Sequence, residues 1–171
     1  MMLDISVEAD AEWDSRIGWA ALAERAVAAA VAESAYPQLA TSERSVEVAL
    51  RLTSDDAVRT LNAEWRGKDK PTNVLSFPLA EVDDLGVTGD ADSPELMLGD
   101  IVLAHGVCAA EAADKCVPIA DHAAHLMVHG TLHLLGYDHA DEAQAADMEA
   151  REVRALARLG IADPYALKVT A

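Results

Sequence analysis

Alternating and periodic apolar positions divide the first half of the chain into strand and helix segments. The segment "LDISVE" predicts a short, edge-like strand, and a helix is predicted from about Ser15 to Ser34, ended by Pro37. The segment "SVEVALRLT" alternates, with its valines and leucines on one side, and predicts a half-buried strand. The polar cluster "TSDD" offers N-caps for a second helix, which is predicted to run through Leu61.

The second half predicts two more strands and three helices. The strands are "VLSFPL", closed by Pro78, and the buried "GDIVLA"; the acidic, glycine-containing segment 81–95 between them predicts a mobile loop. Helices are predicted at about 105–115, 119–135 and 141–159, with Gly160 placed to cap the last. The pattern indicates a small sheet with helices, and a length of 171 residues indicates a single domain, 1–171.

Composition narrows the class of protein further. No apolar stretch reaches the roughly 18 residues that cross a bilayer, and the acidic start lacks the basic region of a secretory signal. Cys108 and Cys116, eight residues apart on one predicted helix, would be about 12 Å apart, too far for a disulfide. We therefore expect a cytoplasmic protein with reduced, mostly buried thiols.

The formal net charge of −17 argues against a protein that holds nucleic acid by bulk electrostatics. The charge is uneven, however, because four of the thirteen basic residues fall in one short window: Arg59, Arg66, Lys68 and Lys70. The segment 81–95 is rich in acids and has no base. A polyanionic ligand would have to approach the basic window and avoid the acidic segment.

The stretch "HGTLHLLGYDH" concentrates three of the six histidines in eleven residues. His129 and His133 are four apart, so their imidazoles project from one helix face. Gly136 can take a positive φ, end the helix and return His139 toward the same ion. Three neutral imidazoles leave a fourth position open, which is the arrangement of a catalytic metal.

The other histidines are weaker candidates. His125 would lie about 12 Å from His133 along the helix axis, so both cannot bind one ion, and His125 is interpreted as packed or as supporting a ligand. His105 and His122 are interpreted as structural. The H-x-x-x-H-x-x-G-x-x-H spacing is that of metzincin peptidases, but Gly130 stands where those enzymes carry a glutamate base.

These residues resemble a known family. "HGTLHLLGYDH" looks like the signature of the YbeY family of bacterial metal-dependent endoribonucleases, and "LNAEWRGKDKPTNVLSFP" and "GDIVLA" resemble two further family segments. The resemblance implies an α+β fold, a small mixed β-sheet packed with helices, with a zincin-like metal site at the end of a central helix. It implies one zinc ion per chain, held by His129, His133 and His139.

The resemblance also implies an activity and partners. Family members are similar in cleaving single-stranded RNA, and the family is implicated in 16S ribosomal RNA 3′-end processing, ribosome maturation and quality control. The expected partners are 16S rRNA and the small ribosomal subunit, with a ribosomal protein as a candidate that supplies orientation, and no membrane. The acidic balance predicts weak, salt-sensitive binding to naked RNA.

The resemblance, together with side-chain chemistry, also indicates roles for individual residues. The family's functional arginine falls on Arg66, whose planar guanidinium suits the scissile phosphate. Asp138 is a candidate to orient a ligand imidazole or accept a proton, with capping of the last helix as the alternative. Asn73 stands where the family commonly has aspartate, which puts a base at that position in doubt. Tyr137 is expected to pack, with stacking on a base as the alternative, and Trp65 is expected to lie in the core and not to serve as a platform for a base.

Two other functions also fit the sequence. One is a metallopeptidase whose base lies elsewhere than Gly130. The other is a non-catalytic ribosome assembly factor in which zinc only joins the last helix to the sheet. RNA and casein assays, each with and without chelator, discriminate the peptidase from the nuclease.

Overall fold

The computed structural model describes residues 3–41, 45–80, 85 and 95–166. Within these ranges the strands are β1 (Leu3–Ala9), β2 (Ser45–Thr53), β3 (Val74–Pro78) and β4 (Glu95–Ala104). The α-helices are α1 (Trp19–Ala32), α2 (Asp55–Arg66), α3 (His105–Lys115), α4 (Ile119–Leu134) and α5 (Glu142–Arg158), and Pro37–Ala40 is a short 3₁₀ helix.

The four strands form one mixed sheet in the order β1-β2-β4-β3. β1, β2 and β4 are parallel, and β3 runs antiparallel to β4. β1 and β3 are the edge strands, as the short segment "LDISVE" indicates for β1. The mixed sheet and its helices confirm the predicted α+β class.

One face of the sheet carries the main core. The alternation in β2 points Val46, Val48, Leu50 and Leu52 to this face, where each is at most 2% exposed. Helix α1 is rich in alanine, and short side chains such as Ala23 and Ala30 let it lie close to its neighbours. Helix α4 packs on the same face and against α1, so it is buried along most of its length.

The other face of the sheet is covered only in part. Val58 of α2 packs there with Leu75 and Val102 in a small second cluster. The remainder of this face has no described helix over it.

Helix α1 starts later than the sequence predicts, at Trp19 instead of Ser15. Asp14 organises a turn instead: its carboxylate accepts the Arg16 N–H at 2.9 Å, and its carbonyl accepts the Trp19 indole N–H at 3.0 Å. Such side-chain bonds to nearby backbone compete with helix formation, which is why the helix is delayed.

Helix α2 is longer than predicted and continues past Leu61 to Arg66. Gly67 then ends it in the left-handed conformation, with φ 67°. Trp65, expected to pack in the core, is 67% exposed, and that expectation is wrong. It lies on the last turn of α2, where its ring meets the Phe77 ring of the edge strand β3 and stays largely open to solvent.

The acidic segment and the two cysteines compare differently with their predictions. The predicted acidic loop 81–95 lies outside the described residues except Leu85, which is buried, and Glu95, which already belongs to β4. Both cysteines are free thiols, but Cys116 is exposed because it caps the end of α3 with φ 55°; only Cys108 is buried as expected. In the described ranges, no helix combines the length and apolarity needed to cross a bilayer.

Candidate metal centre

Helix α4 ends in a turn that brings three imidazoles together. Gly136 has φ 94°, and the Tyr137 N–H donates to the Leu132 carbonyl at 3.0 Å, closing the helix as a glycine cap. The chain then reverses and places the ring of His139 5.9 Å from that of His129 and 5.2 Å from that of His133. The predicted role of Gly136 in the turn is therefore confirmed.

The three side chains can offer one ligand atom each, all within 4.8 Å of one another. The closest pair is His129 Nε2 and His133 Nε2, 3.0 Å apart. Two nitrogens bonded to one tetrahedral zinc at 2.0–2.1 Å lie about 3.3 Å apart, so this pair needs only a small adjustment.

The partners of the outer ring nitrogens fix which atoms face inward. His129 Nδ1 donates to Glu152 Oε1 at 2.8 Å, and His133 Nδ1 donates to the Tyr137 carbonyl at 2.9 Å. When both rings are neutral, these bonds leave two Nε2 lone pairs pointing at each other. Burial, and then the neighbouring His129, lower the pKa of His133 to about 4, so this ring is neutral near pH 7. Facing lone pairs at this distance fit a shared cation.

Glu152 is the functional residue that sequence reasoning missed. It lies on α5, is 1% exposed, and accepts hydrogen bonds from His129 Nδ1, from His125 Nε2 at 3.1 Å and from the Tyr165 hydroxyl at 2.8 Å. Burial alone would raise the pKa of Glu152, but the bonds from His125 and His129 outweigh it and lower the pKa to about 2. A buried carboxylate behind a ligand imidazole fixes its tautomer and raises its basicity.

A sequence signal for Glu152 exists. It lies four residues after buried Met148 and three before buried Ala155, in the apolar stripe of α5. An acid in such a stripe is rarely buried without a partner. The sequence alone does not identify the partner.

The remaining histidines lie where packing was expected. His125 is 7% exposed and shares Glu152 with His129, and in the described part of the chain its Nδ1 has no hydrogen-bond partner. His122 Nε2 contacts Glu111 at 2.8 Å, and burial lowers the pKa of His122. The ring of His105 packs edge-on against Trp13.

The imidazoles open into a cavity of about 520 Å³, which also includes Arg66, Asn73 and Asp138 in its wall. Arg66 reaches it from the end of α2, and its Nη2 donates to the Ser76 carbonyl at 3.0 Å, which fixes the guanidinium on the wall. The structure thus brings Arg66 and the three histidines to one cavity.

Asp138 and Asn73 have less direct relations to the imidazoles. Asp138 accepts the backbone N–H of His139, and its Oδ1 lies 4.0 Å from His139 Nδ1. It does not cap the last helix, because Asp141 accepts the Gln144 N–H in that role. Asn73 donates to Glu111 at 3.1 Å, where an aspartate would bring two carboxylates together.

Two other expectations concern the cavity. Tyr137 packs as predicted: its hydroxyl accepts the Ala35 N–H at 2.9 Å, and Arg151 lies over its ring.

A Cβ atom at position 130 would lie 2.9 Å from Ile101 Cγ2 and 3.1 Å from Ser76 Oγ. Gly130 therefore faces the sheet at a point with no room for a glutamate, which argues against a peptidase base there.

Comparison with known proteins gives a consistent result. The sequence model of one family, described as Endoribonuclease YbeY, matches residues 10–160. The chain is 55% identical to "Endoribonuclease YbeY" from Sphingopyxis alaskensis, covering 96% of this chain and 98% of that protein. It is 49% identical to the protein of that name from Rhizorhabdus wittichii, covering 97% and 98%. The fold resembles the solution structure of TM1509 from Thermotoga maritima, with TM-score 0.53, 22% identity and 92% of each chain covered.

Proposed function

Because the chain belongs to the endoribonuclease YbeY family, we propose that it is a zinc-dependent endoribonuclease that cleaves single-stranded RNA. The observation that carries this proposal is the convergence of three imidazoles and the Arg66 guanidinium in one cavity. The imidazoles suit a single divalent transition ion, and a guanidinium suits a phosphodiester.

Each residue of the metal centre has a separate proposed role. His129, His133 and His139 hold the ion, while Glu152 and the Tyr137 carbonyl keep the first two rings turned inward. Zinc, when bound, supplies Lewis acidity at an open coordination position. Arg66 binds the scissile phosphate through its planar fork of N–H groups and stabilises the charge that develops there.

Asp138 is proposed to transfer a proton at the edge of this cavity. Its side chain is 62% exposed, and its bond to the His139 backbone holds it beside the third ligand. Asn73 cannot accept a proton near neutral pH and is proposed to align the loop before β3, because its side-chain oxygen accepts the Val74 N–H at 2.7 Å.

The proposed substrate is the 3′ end of 16S ribosomal RNA within the small subunit, in the cytoplasm. The net charge of −17 disfavours tight binding to naked RNA, so a ribosomal particle or ribosomal protein is proposed to supply orientation. The two free thiols agree with a reducing compartment. Equal cleavage of isolated rRNA and of assembled particles would contradict the need for a particle.

The decisive experiment combines metal analysis of the purified protein with 3′-end mapping of small-subunit RNA in cells that carry Arg66→Ala. We expect one zinc per chain in both proteins and unprocessed 3′ ends in the variant alone. Arg59→Ala is the matched control, since Arg59 also lies on α2 but pairs with Asp69 at 2.8 Å on the surface. Its rRNA ends should mature normally.

The same strains test the alternatives. Normal rRNA ends in Arg66→Ala cells, together with a loss of stability in His133→Ala protein, would indicate an assembly factor with structural zinc. Chelator-sensitive hydrolysis of casein without cleavage of RNA would indicate a peptidase.

A further inference from the structure

The uncovered part of the sheet forms a second cavity, here called the sheet groove, of about 960 Å³. Its floor is the sheet face turned away from α1 and α4. Strand register places Ser6, Ala49, Asp100 and Phe77 side by side across the four strands on this floor. Helix α2 forms one wall, with Leu61 and Trp65.

An exposed aromatic side chain dominates this wall. Trp65 is 67% exposed, and its ring lies 6.4 Å from that of Phe77 at an interplanar angle of 66°. Leu79, beside them, is 57% exposed. Large apolar side chains gathered at the mouth of a groove mark a binding surface better than scattered ones do.

Two arginines in the sheet groove offer contacts to phosphate, and two acids balance their formal charge. Arg51 projects from β2 and Arg66 from the end of α2, and neither forms an ion pair with any residue in the described ranges. The acids Glu8 and Asp100 also line the groove. Carboxylates repel phosphates but accept hydrogen bonds from base amino groups, so a polynucleotide would follow the arginines with its backbone.

The sheet groove is continuous with the metal centre. Arg66, Ser76 and Pro78 line both cavities, so the edge strand β3 and the Arg66 side chain form the ridge between them. A chain bound at the imidazoles therefore reaches the sheet groove by passing over a single strand.

We propose that the sheet groove binds the single-stranded RNA that flanks the cleaved bond, with a base stacked on Trp65 and a phosphate on Arg51. The inference rests on the proposed function for the identity of the ligand. RNA is favoured over a peptide because an exposed indole and two guanidiniums that form no ion pair in the described ranges match the base stacking and phosphate contacts of unstructured nucleic acid. Continuity of the sheet groove with the proposed phosphodiester site adds to the case for RNA.

Tryptophan fluorescence tests the stacking directly. Trp13 and Trp19 are 1% and 5% exposed, so quenching by a solute reports mainly on Trp65. Chelator-treated full-length protein is titrated with a short fluorescein-labelled oligouridylate for anisotropy and an unlabelled one for quenching. Trp65→Ala should weaken binding by about 5- to 150-fold and abolish quenching, whereas Trp65→Phe should retain most of the affinity.

Met97→Ala is the matched control, because Met97 is 52% exposed but does not line the sheet groove. Its affinity should equal that of the wild type. Unchanged affinity in Trp65→Ala overturns the proposal and makes a protein partner the better occupant.

Arg51→Gln tests the phosphate contact. It should reduce the slope of log affinity against log salt by about 0.7, the value for one phosphate on a single strand. An unchanged slope would overturn the role of Arg51.

These readouts need no cleavage, so the two proposals fail separately. Quenching without nuclease activity would contradict the proposed function alone. Cleavage with neither quenching nor a Trp65 effect would contradict the sheet groove alone.

Discussion

Replacing Glu152 tests whether the buried carboxylate prepares His129 for metal. In Glu152→Gln the side chain keeps its shape and can still accept one hydrogen bond from His129 Nδ1, but the negative charge is lost. In Glu152→Ala that bond and those to His125 and Tyr165 are lost together. The two variants therefore separate the charge from the contact.

The expected loss of zinc affinity follows from the hydrogen bond of 2.8 Å between His129 Nδ1 and Glu152 Oε1. A hydrogen bond to a charged group contributes about 1.5–3 kcal/mol and a neutral one about 0.5–1.5 kcal/mol, so Gln costs about 1–1.5 kcal/mol. That corresponds to about 5- to 13-fold weaker zinc binding. Loss of the whole contact in Glu152→Ala should weaken zinc binding by about 10- to 100-fold.

The assay is competition for zinc between the protein and a chromophoric chelator at fixed pH. Glu149→Gln serves as the control, because Glu149 lies on the same helix but is exposed, and its zinc affinity should not change. Denaturant unfolding of the chelator-treated proteins separates weaker metal binding from a fold that is simply less stable. Zinc affinity in Glu152→Gln within a factor of two of the wild type would refute the reasoning.

Three further predictions concern other parts of the site. Arg66→Lys should lower kcat for RNA cleavage by about 10²-fold with zinc content unchanged, because an ammonium cannot replace the planar fork; wild-type kcat would contradict the assigned role. The pKa of His133 is lowered from 6.5 to about 4, so the unfolded chain binds a proton that the folded chain excludes. The unfolding free energy of chelator-treated protein should therefore fall by at most about 3 kcal/mol as pH drops through this window, and less in His133→Gln. Gly136→Ala should cost about 1–2 kcal/mol in unfolding free energy and weaken zinc binding, since φ is 94° there. Gly160→Ala, at φ 75°, should cost a similar amount without affecting zinc, and equal losses of zinc affinity in both would contradict the turn's role.

Local chemistry explains what the sequence predicted well. Alternation in β2 identified the buried face of the sheet, because a strand's side-chain period is fixed by its backbone. Gly136 and Gly160 both have positive φ at helix ends, as a glycine cap requires. The spacing of His129 and His133 brought their imidazoles to one face for the same local reason.

The failures involve contacts between distant segments. Glu152 and His129 are 23 residues apart, and their bond depends on how α5 lies against α4. Burial of Trp65 is the wrong prediction, because the pattern of a short amphipathic helix does not show how much of the sheet the helix covers. Cys116 sits just past the end of α3, where one residue decides between burial and exposure.

The ridge formed by β3 has a mechanical consequence. The sheet groove lies on the sheet face turned away from α4, whereas the imidazoles lie at the end of α4, so a polynucleotide that fills both cavities must bend around the edge strand β3. A double helix resists such bending, since duplex DNA stays nearly straight over about 150 base pairs, whereas an unpaired strand turns freely. Discrimination between duplex and unpaired RNA would then be set by stiffness, without any side chain reading the absence of a complementary strand.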